Sequence, residues 1–171
     1  MVQDEFALME TLFWMSVVGV LYPYFGYPVV LYLIGKLRGG EGPRGVAALP
    51  TVSMIIPVHN EAARIGRKLV NTASLQYPAD RFEVLSISDG SPDASVDLIR
   101  AGATPAMSVT ELPARGGKAA ALNAGLARAR NEILVFSDAS IELEPESLQR
   151  LVAPFADPKV GCVSGEDRIA E

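Results

Sequence analysis

Two hydrophobic patterns divide the chain. From Leu12 to Ile34 apolar and aromatic residues run on without a charge. From Thr51 onward, short apolar runs alternate with amphipathic stretches, and three of those runs end in polar, carboxylate-bearing loops. Val52-Ser53-Met54-Ile55-Ile56 leads into Pro57-Val58-His59-Asn60-Glu61, Phe82–Ile87 leads into Ser88-Asp89-Gly90-Ser91-Pro92-Asp93, and Ile133–Ser137 leads into Asp138-Ala139-Ser140. Strands alternating with helices predict an α/β domain with a mainly parallel sheet and flanking helices. The first helix is expected over Glu61–Leu75, with Ile65, Leu69 and Ala73 on one face. A second, capped by Asp93, takes in Val96, Leu98 and Ile99. The alanine-rich stretch Lys118–Arg130 favours a third helix, and Pro145 suits the first turn of a fourth that runs to about Val152. Short strands are expected at Met107–Thr110 and Val160–Ser164.

The uncharged N-terminal run is long enough for a membrane. At about 1.5 Å per residue it reaches about 35 Å as a helix, against about 30 Å for a hydrocarbon core. Trp14, Tyr22, Tyr24, Tyr27 and Tyr32 supply rings that suit an interface. Pro23 and Pro28 are expected to kink or split the helix, which keeps a re-entrant or surface-lying segment open as an alternative. Asp4, Glu5 and Glu10 precede the run, where a cleaved signal would carry positive charge. Lys36, Arg38 and Arg44 follow it, and that asymmetry predicts an inner-membrane anchor with the remainder facing the cytoplasm. The expected organisation is a membrane segment over 1–38 (span about 12–34), a linker over 39–49 built on Gly39-Gly40-Glu41-Gly42-Pro43-Arg44-Gly45, and a domain over 50–171.

Composition narrows the partners. The net charge of −5, with no basic block beyond the juxtamembrane cluster, argues against nucleic acid. Cys162 is the single cysteine, so no intramolecular disulfide forms, in keeping with a reducing compartment.

The loops hold the candidate chemistry. In open parallel sheets ligands sit outside the carboxyl ends of the strands. Glu61 is placed to accept bonds from ribose hydroxyls or a base, and reads equally as an acid complementing a helix start. His59, the only histidine, reads by itself as a loop residue. Asp89 opens a tight turn and is able to accept a base imide or a sugar hydroxyl. Arg115-Gly116-Gly117-Lys118 begins a helix with a lysine that opposes the helix dipole, a conflict that an anion such as pyrophosphate resolves. An ordinary glycine loop with a solvated lysine fits as well. It is not a P-loop, because Leu112 and Ala119 stand where that motif needs glycine and a hydroxyl. Asp138 ends an apolar strand, and magnesium or manganese needs only one or two carboxylates beside phosphate oxygens.

In this order the loops resemble those of the family 2 glycosyltransferases of GT-A (Rossmann-like) fold, over about Pro50–Gly165. Thr51–Glu61 is similar to the family's opening strand and its Pro-x-x-Asn-Glu loop, and Ser88-Asp89-Gly90-Ser91 to its Asp-Asp-Gly-Ser. Gly117-Lys118 with Ala121-Leu122-Asn123-Ala124-Gly125 is similar to its Gly-Lys and Ala-Leu-Asn-x-Gly segment, and Asp138-Ala139-Ser140 to its Asp-x-Asp. The resemblance implies transfer of a sugar, with inversion, from a nucleotide-sugar donor to the hydroxyl of a carbohydrate or lipid-linked acceptor at a membrane, assisted by a divalent metal (Mg or Mn). It implies donor contacts at Pro57, His59, Glu61, Asp89, Lys118 and Asp138, with the metal at Asp138 and Ser140.

Three features depart from the family pattern. Ser88 and Ser140 replace acids, and the chain ends at Glu171, ahead of where the family's base-bearing acceptor half is expected. Glu166-Asp167 resembles the base-bearing pair but follows Asp138 too closely, and reads as a polar strand end. The catalytic base is therefore expected beyond Glu171, and the domain to be incomplete, with an uncovered edge that leaves it marginal or prone to associate. An inactive remnant or nucleotide-sugar-binding module is the alternative. A nucleotidyltransferase is disfavoured because His59-Asn60-Glu61 stands where its glycine-rich loop belongs.

Overall fold

The computed structural model describes residues 2–38 and 48–165. Its chain divides into two units, Met1–Gly42 and Pro43–Glu171. Arg44, most of the expected linker and Glu166-Asp167 lie outside the described residues.

The N-terminal unit is helical from α1 (Val2–Leu21) through a π turn (Tyr22–Gly26) to α2 (Tyr27–Arg38). The two prolines do not split it. Pro28 has no N–H to give, and its ring would crowd the carbonyl four residues back. The wider turn relieves this by pairing the Tyr27 N–H with the Tyr22 carbonyl, five residues earlier. Over Glu5–Leu37 the helix is long and apolar enough to cross a membrane.

The second unit is a four-stranded, wholly parallel sheet in the order β3-β2-β1-β4. Its strands are β1 (Val52–Val58), β2 (Phe82–Ser88), β3 (Met107–Glu111) and β4 (Ile133–Phe136). The helices are α3 (Ala62–Ala73), α4 (Ser95–Gly102), α5 (Lys118–Leu126) and α6 (Ser147–Val152). A parallel sheet needs cover on both faces, which explains the nearly unbroken apolar runs of β1 and β2. On one face Met54, Ile56 and Val84 pack with Ile65 and Leu69 of α3, Ile99 of α4, and Leu148 and Val152 of α6. On the other, Ile55, Leu85 and Ile87 pack with Ala121 of α5. β1, with a strand on each side, is the most deeply buried element.

Several boundaries differ from the sequence expectation. The sheet-facing stripe of α3 is Ile65, Lys68, Leu69 and Thr72, and Ala73 is exposed. Pro145 precedes α6 instead of entering it, and its carbonyl accepts the Gln76 N–H at 2.8 Å. The third helix ends at Leu126, where the N–H groups of Arg128 and Ala129 both turn to the Gly125 carbonyl at 3.0 Å. Val160–Ser164 is irregular. Only Val160 and Val163 are half-buried there, and Gly161 and Gly165 bracket too short an apolar pattern to sustain a ladder. Among the described residues β4 is thus an edge strand, with Phe136 exposed at its end.

Helix α5 lies close to β1 because Gly125 faces Ile55. A Cβ at Gly125 would stand 2.5 Å from Ile55 Cγ2, whereas one at Gly66, on the exposed side of α3, meets nothing within 4 Å. Gly125→Ala is expected to destabilise by about 1–3 kcal/mol through overpacking. Gly66→Ala should instead stabilise by about 0.5–1 kcal/mol, because glycine costs about that much in a helix. Urea midpoints of the two variants in the detergent-solubilised chain, at unchanged m, should move in opposite directions.

Candidate functional site

Because β1 pairs in parallel with β2 and β4, the loops that leave these strands rise from one rim. The first turns sharply at Asn60, whose φ of 56° is the one positive value at a non-glycine among the described residues. Asparagine tolerates that conformation. The start of α3 is then capped from a distance. The Glu61 N–H donates to Ser95 Oγ at 2.9 Å and the Ala62 N–H to Asp93 Oδ2 at 3.0 Å. Asp93 also accepts from the Ser95 hydroxyl at 2.6 Å and the Ser95 N–H at 3.1 Å. The Ser95 hydroxyl bond leads, and the N–H groups add to it, in holding the Asp93 carboxyl below its ordinary pKa. The residue expected to cap the second helix therefore also caps α3, while Ala94 stands at the N-cap of α4.

His59 joins the first loop to the second. Its Nδ1 lies 2.8 Å from the Asp89 carbonyl oxygen. A carbonyl only accepts, so Nδ1 carries the proton and donates.

Asp89 joins the second loop to the glycine loop that opens α5. Its side chain is 3% exposed. Its Oδ1 accepts the Gly116 N–H at 2.6 Å and its Oδ2 the Gly117 N–H at 2.8 Å. Two positive φ values make this possible, 61° at Gly90 and 84° at Gly117. A Cβ on Gly90 would also approach the Arg115 nitrogen at 3.1 Å. One carboxylate thus sets where α5 begins and where Lys118 stands.

Lys118 Nζ in turn meets Asp138 Oδ1 at 2.7 Å, and both side chains are substantially exposed. Behind Asp138 lies a second buried charge. Lys68 of α3 is 1% exposed and donates to Ser137 Oγ at 2.7 Å and to the Ile141 carbonyl at 2.6 Å. Burial lowers its pKa to about 8, while the negative charges of Asp138 and Glu142 oppose the fall. It therefore remains mostly protonated at neutral pH.

These contacts frame a cleft of about 320 Å³, lined by Pro57, His59, Glu61, Asp89, Lys118, Asp138 and Ser140 among others. All seven site residues expected from the sequence come together in it. The site residues inferred from the sequence omitted two. Arg115 lines the cleft beside Lys118, and its place in the glycine loop was the available signal. Lys68 lies outside the lining but supports it. Its position three residues after Ile65 and four before Thr72, on the apolar stripe of a helix, was the signal there.

For a divalent metal the cleft offers the Asp138 carboxylate and the Ser140 hydroxyl. Among the described residues no three His, Cys, Asp or Glu side chains gather around a metal position. One carboxylate and one neutral oxygen fit a magnesium or manganese ion that completes its shell with phosphate oxygens and water. They do not make a closed protein cage. The ammonium of Lys118 on Asp138 shows that the carboxylate draws a positive charge from across the cleft.

The sequence profile described as Glycosyl transferase family 2 matches residues 53–168. The chain is 34% identical over 134 residues to the beta-monoglucosyldiacylglycerol synthase of Synechocystis sp., covering 75% of this chain and 28% of the relative. It is 33% identical over 121 residues to the glycosyltransferase AglE of Haloferax volcanii, covering 70% of this chain and 40% of the relative. The mannosyltransferase PcManGT from Pyrobaculum calidifontis, solved in complex with GDP-Man and Mn2+, superposes with a TM-score of 0.72 at 32% identity, covering 84% of this chain and 44% of that one. The chain spans less than half the length of each of these proteins.

Two outcomes are expected from the buried charges. Asp89→Asn removes the second carboxylate acceptor and should destabilise by about 1.5–3 kcal/mol, the range for hydrogen bonds to a charged group. Hydrogen exchange should localise the loss to the Gly116 and Gly117 amides. For Lys68, the folded pKa of about 8 lies below the ordinary 10.5. Between those values the unfolded chain holds a proton that the folded chain has released, so stability from this group rises with pH over that window and is lowest below about 8. Urea midpoints of the wild type should therefore gain on those of Lys68→Met as pH is raised from 8 to 10.

Proposed function

This chain belongs to glycosyl transferase family 2 and carries the GT-A fold, and we propose that it supplies the donor site of a membrane-anchored enzyme that moves a sugar from a nucleotide-sugar to an acceptor hydroxyl. The observation that carries the reading is the cleft itself. It gathers Glu61, Asp89 and Asp138 from the loops after β1, β2 and β4, and Lys118 from the start of α5, at the carboxyl rim of the sheet. In open α/β sheets that rim is where a ligand binds.

Within the proposal, Pro57, His59, Glu61 and Asp89 form the nucleoside side of the cleft. Asp89 keeps its two backbone partners there, since each carboxylate oxygen has a second lone pair for a base or ribose donor. Lys118 and Arg115 face the diphosphate. Lys118 would pair with the donor phosphates in place of Asp138, and Asp138 with Ser140 would hold a magnesium or manganese ion. Such an ion, when bound, offsets charge on the departing diphosphate. PcManGT, with its GDP-Man and Mn2+, supports both donor class and metal.

The anchor is residues 1–38, and the domain begins after the 39–49 linker. Helix length and apolarity support the span, and Lys36, Arg38 and Arg44 on its C-terminal side support a cytoplasmic site at the inner membrane. A glycolipid or other lipid-linked acceptor suits that location, and the beta-monoglucosyldiacylglycerol synthase supports it. No described residue is assigned as the base that deprotonates the acceptor.

The test is calorimetric titration of UDP and GDP into the detergent-solubilised chain, with and without Mn2+. One nucleotide should bind about tenfold or more tightly with the metal, and Asp138→Asn should abolish that increment. Lys118→Met should weaken nucleotide binding in both conditions. A folded chain that takes up neither nucleotide refutes the proposal.

A further inference from the structure

Lys68 is an unusual residue for its position. The sheet-facing stripe of α3 otherwise holds Ile65, Leu69 and Thr72, and Lys68 is among the largest side chains that this fold buries completely. A leucine or methionine would fill the space without the desolvation of an ammonium, which is expensive unless well paired. What the lysine adds is two directed bonds, to Ser137 Oγ and to the Ile141 carbonyl. Those acceptors flank Asp138-Ala139-Ser140, one residue before it and one residue after. Ala139, at the middle, is buried in the main core. The three-residue loop is therefore pinned at both ends by one cation and at its centre by packing, which leaves Asp138 and Ser140 directed toward the cleft.

We propose that Lys68 is a positioning residue for the metal- and phosphate-facing loop, holding Asp138 and Ser140 at the spacing that a cation shared with the donor diphosphate requires. The inference rests on the donor-site reading above and extends it to a group that touches neither donor nor metal. A single carboxylate and a hydroxyl make a sparse ligand set, so the site depends on their being ordered before the ion arrives. Asn71, one turn further along α3, holds Leu143 through two bonds of 2.8 and 2.9 Å. The segment after the loop thus stays docked when Lys68 is replaced, and the effect of replacement is local.

The experiment uses the whole chain in detergent, with Mn2+ and UDP or GDP as probes. Lys68→Met should raise the Mn2+ dissociation constant of the nucleotide complex about tenfold or more, as loss of a group supporting a ligand does. Nucleotide affinity without metal should change by less than about twofold, a split that general destabilisation would not produce. In the ligand-free chain, the amides of Ala139, Ser140 and Ile141 should exchange faster while those of β1 and β2 keep their protection. A folded Lys68→Met chain with unchanged Mn2+ affinity and unchanged loop exchange overturns the inference. If that variant does not fold, Ser137→Ala removes one acceptor and should weaken Mn2+ about fivefold, the equivalent of one hydrogen bond, and no loss there overturns it too. If the wild type takes up neither nucleotide, the donor-site reading falls, and loop exchange in Lys68→Met alone decides whether Lys68 positions the loop.

Discussion

Strand β1 pairs in parallel with β2 along one side and with β4 along the other, and the cleft exists because of that double pairing. Parallel strands all point their carboxyl ends one way. The loops of β1, β2 and β4 must therefore surface together, although Glu61 and Asp138 are far apart in the chain. Connections that run to both sides of β1 open a crevice at this rim. The apolar runs follow from the same constraint, since a strand covered on both faces has little room for polar side chains.

Two buried charges then give the crevice its shape, one on each wall. The Asp89 carboxylate fixes the start of α5, and with it Lys118, by accepting two backbone N–H groups. The Lys68 ammonium holds the far wall by donating to both flanks of the Asp138 loop. Across the gap Lys118 and Asp138 meet as an exposed pair. An exposed pair of this kind contributes little to stability, which suits a contact that a ligand must replace. The strong, buried bonds do the positioning, and the weak, solvated one lies where a donor would enter.

Much of this was legible in the sequence. The strands β1, β2 and β4 and their loops followed from apolar runs that give way to polar residues, although β1 continues through Pro57 to Val58, and the shorter β3 was placed to within a residue. The loop order also pointed to the family that the profile match shows. Where the expectation failed, local pattern was a poor guide to partners. Val160–Ser164 has the composition of a strand but forms none, and at Pro23 and Pro28 the helix takes a π turn instead of splitting, which no propensity signals. Asp93 was identified as a cap, but not as the cap of a helix some thirty residues earlier.

The sequence by itself determined most of the elements, the parallel α/β class and the N-terminal apolar helix, because burial and turn formation are written in local periodicity and residue type, while the residues expected at the cleft came from the order of the loops and the family they resemble. Only the tertiary structure decided what those residues do to one another. It committed Asp89 to the Gly116 and Gly117 amides, set Lys118 on Asp138, and placed Lys68 beneath the loop 69 residues further along the chain. The physical reason is that a charge inside a fold takes whichever partner the packing of distant segments brings within reach, and local spacing carries no record of that choice.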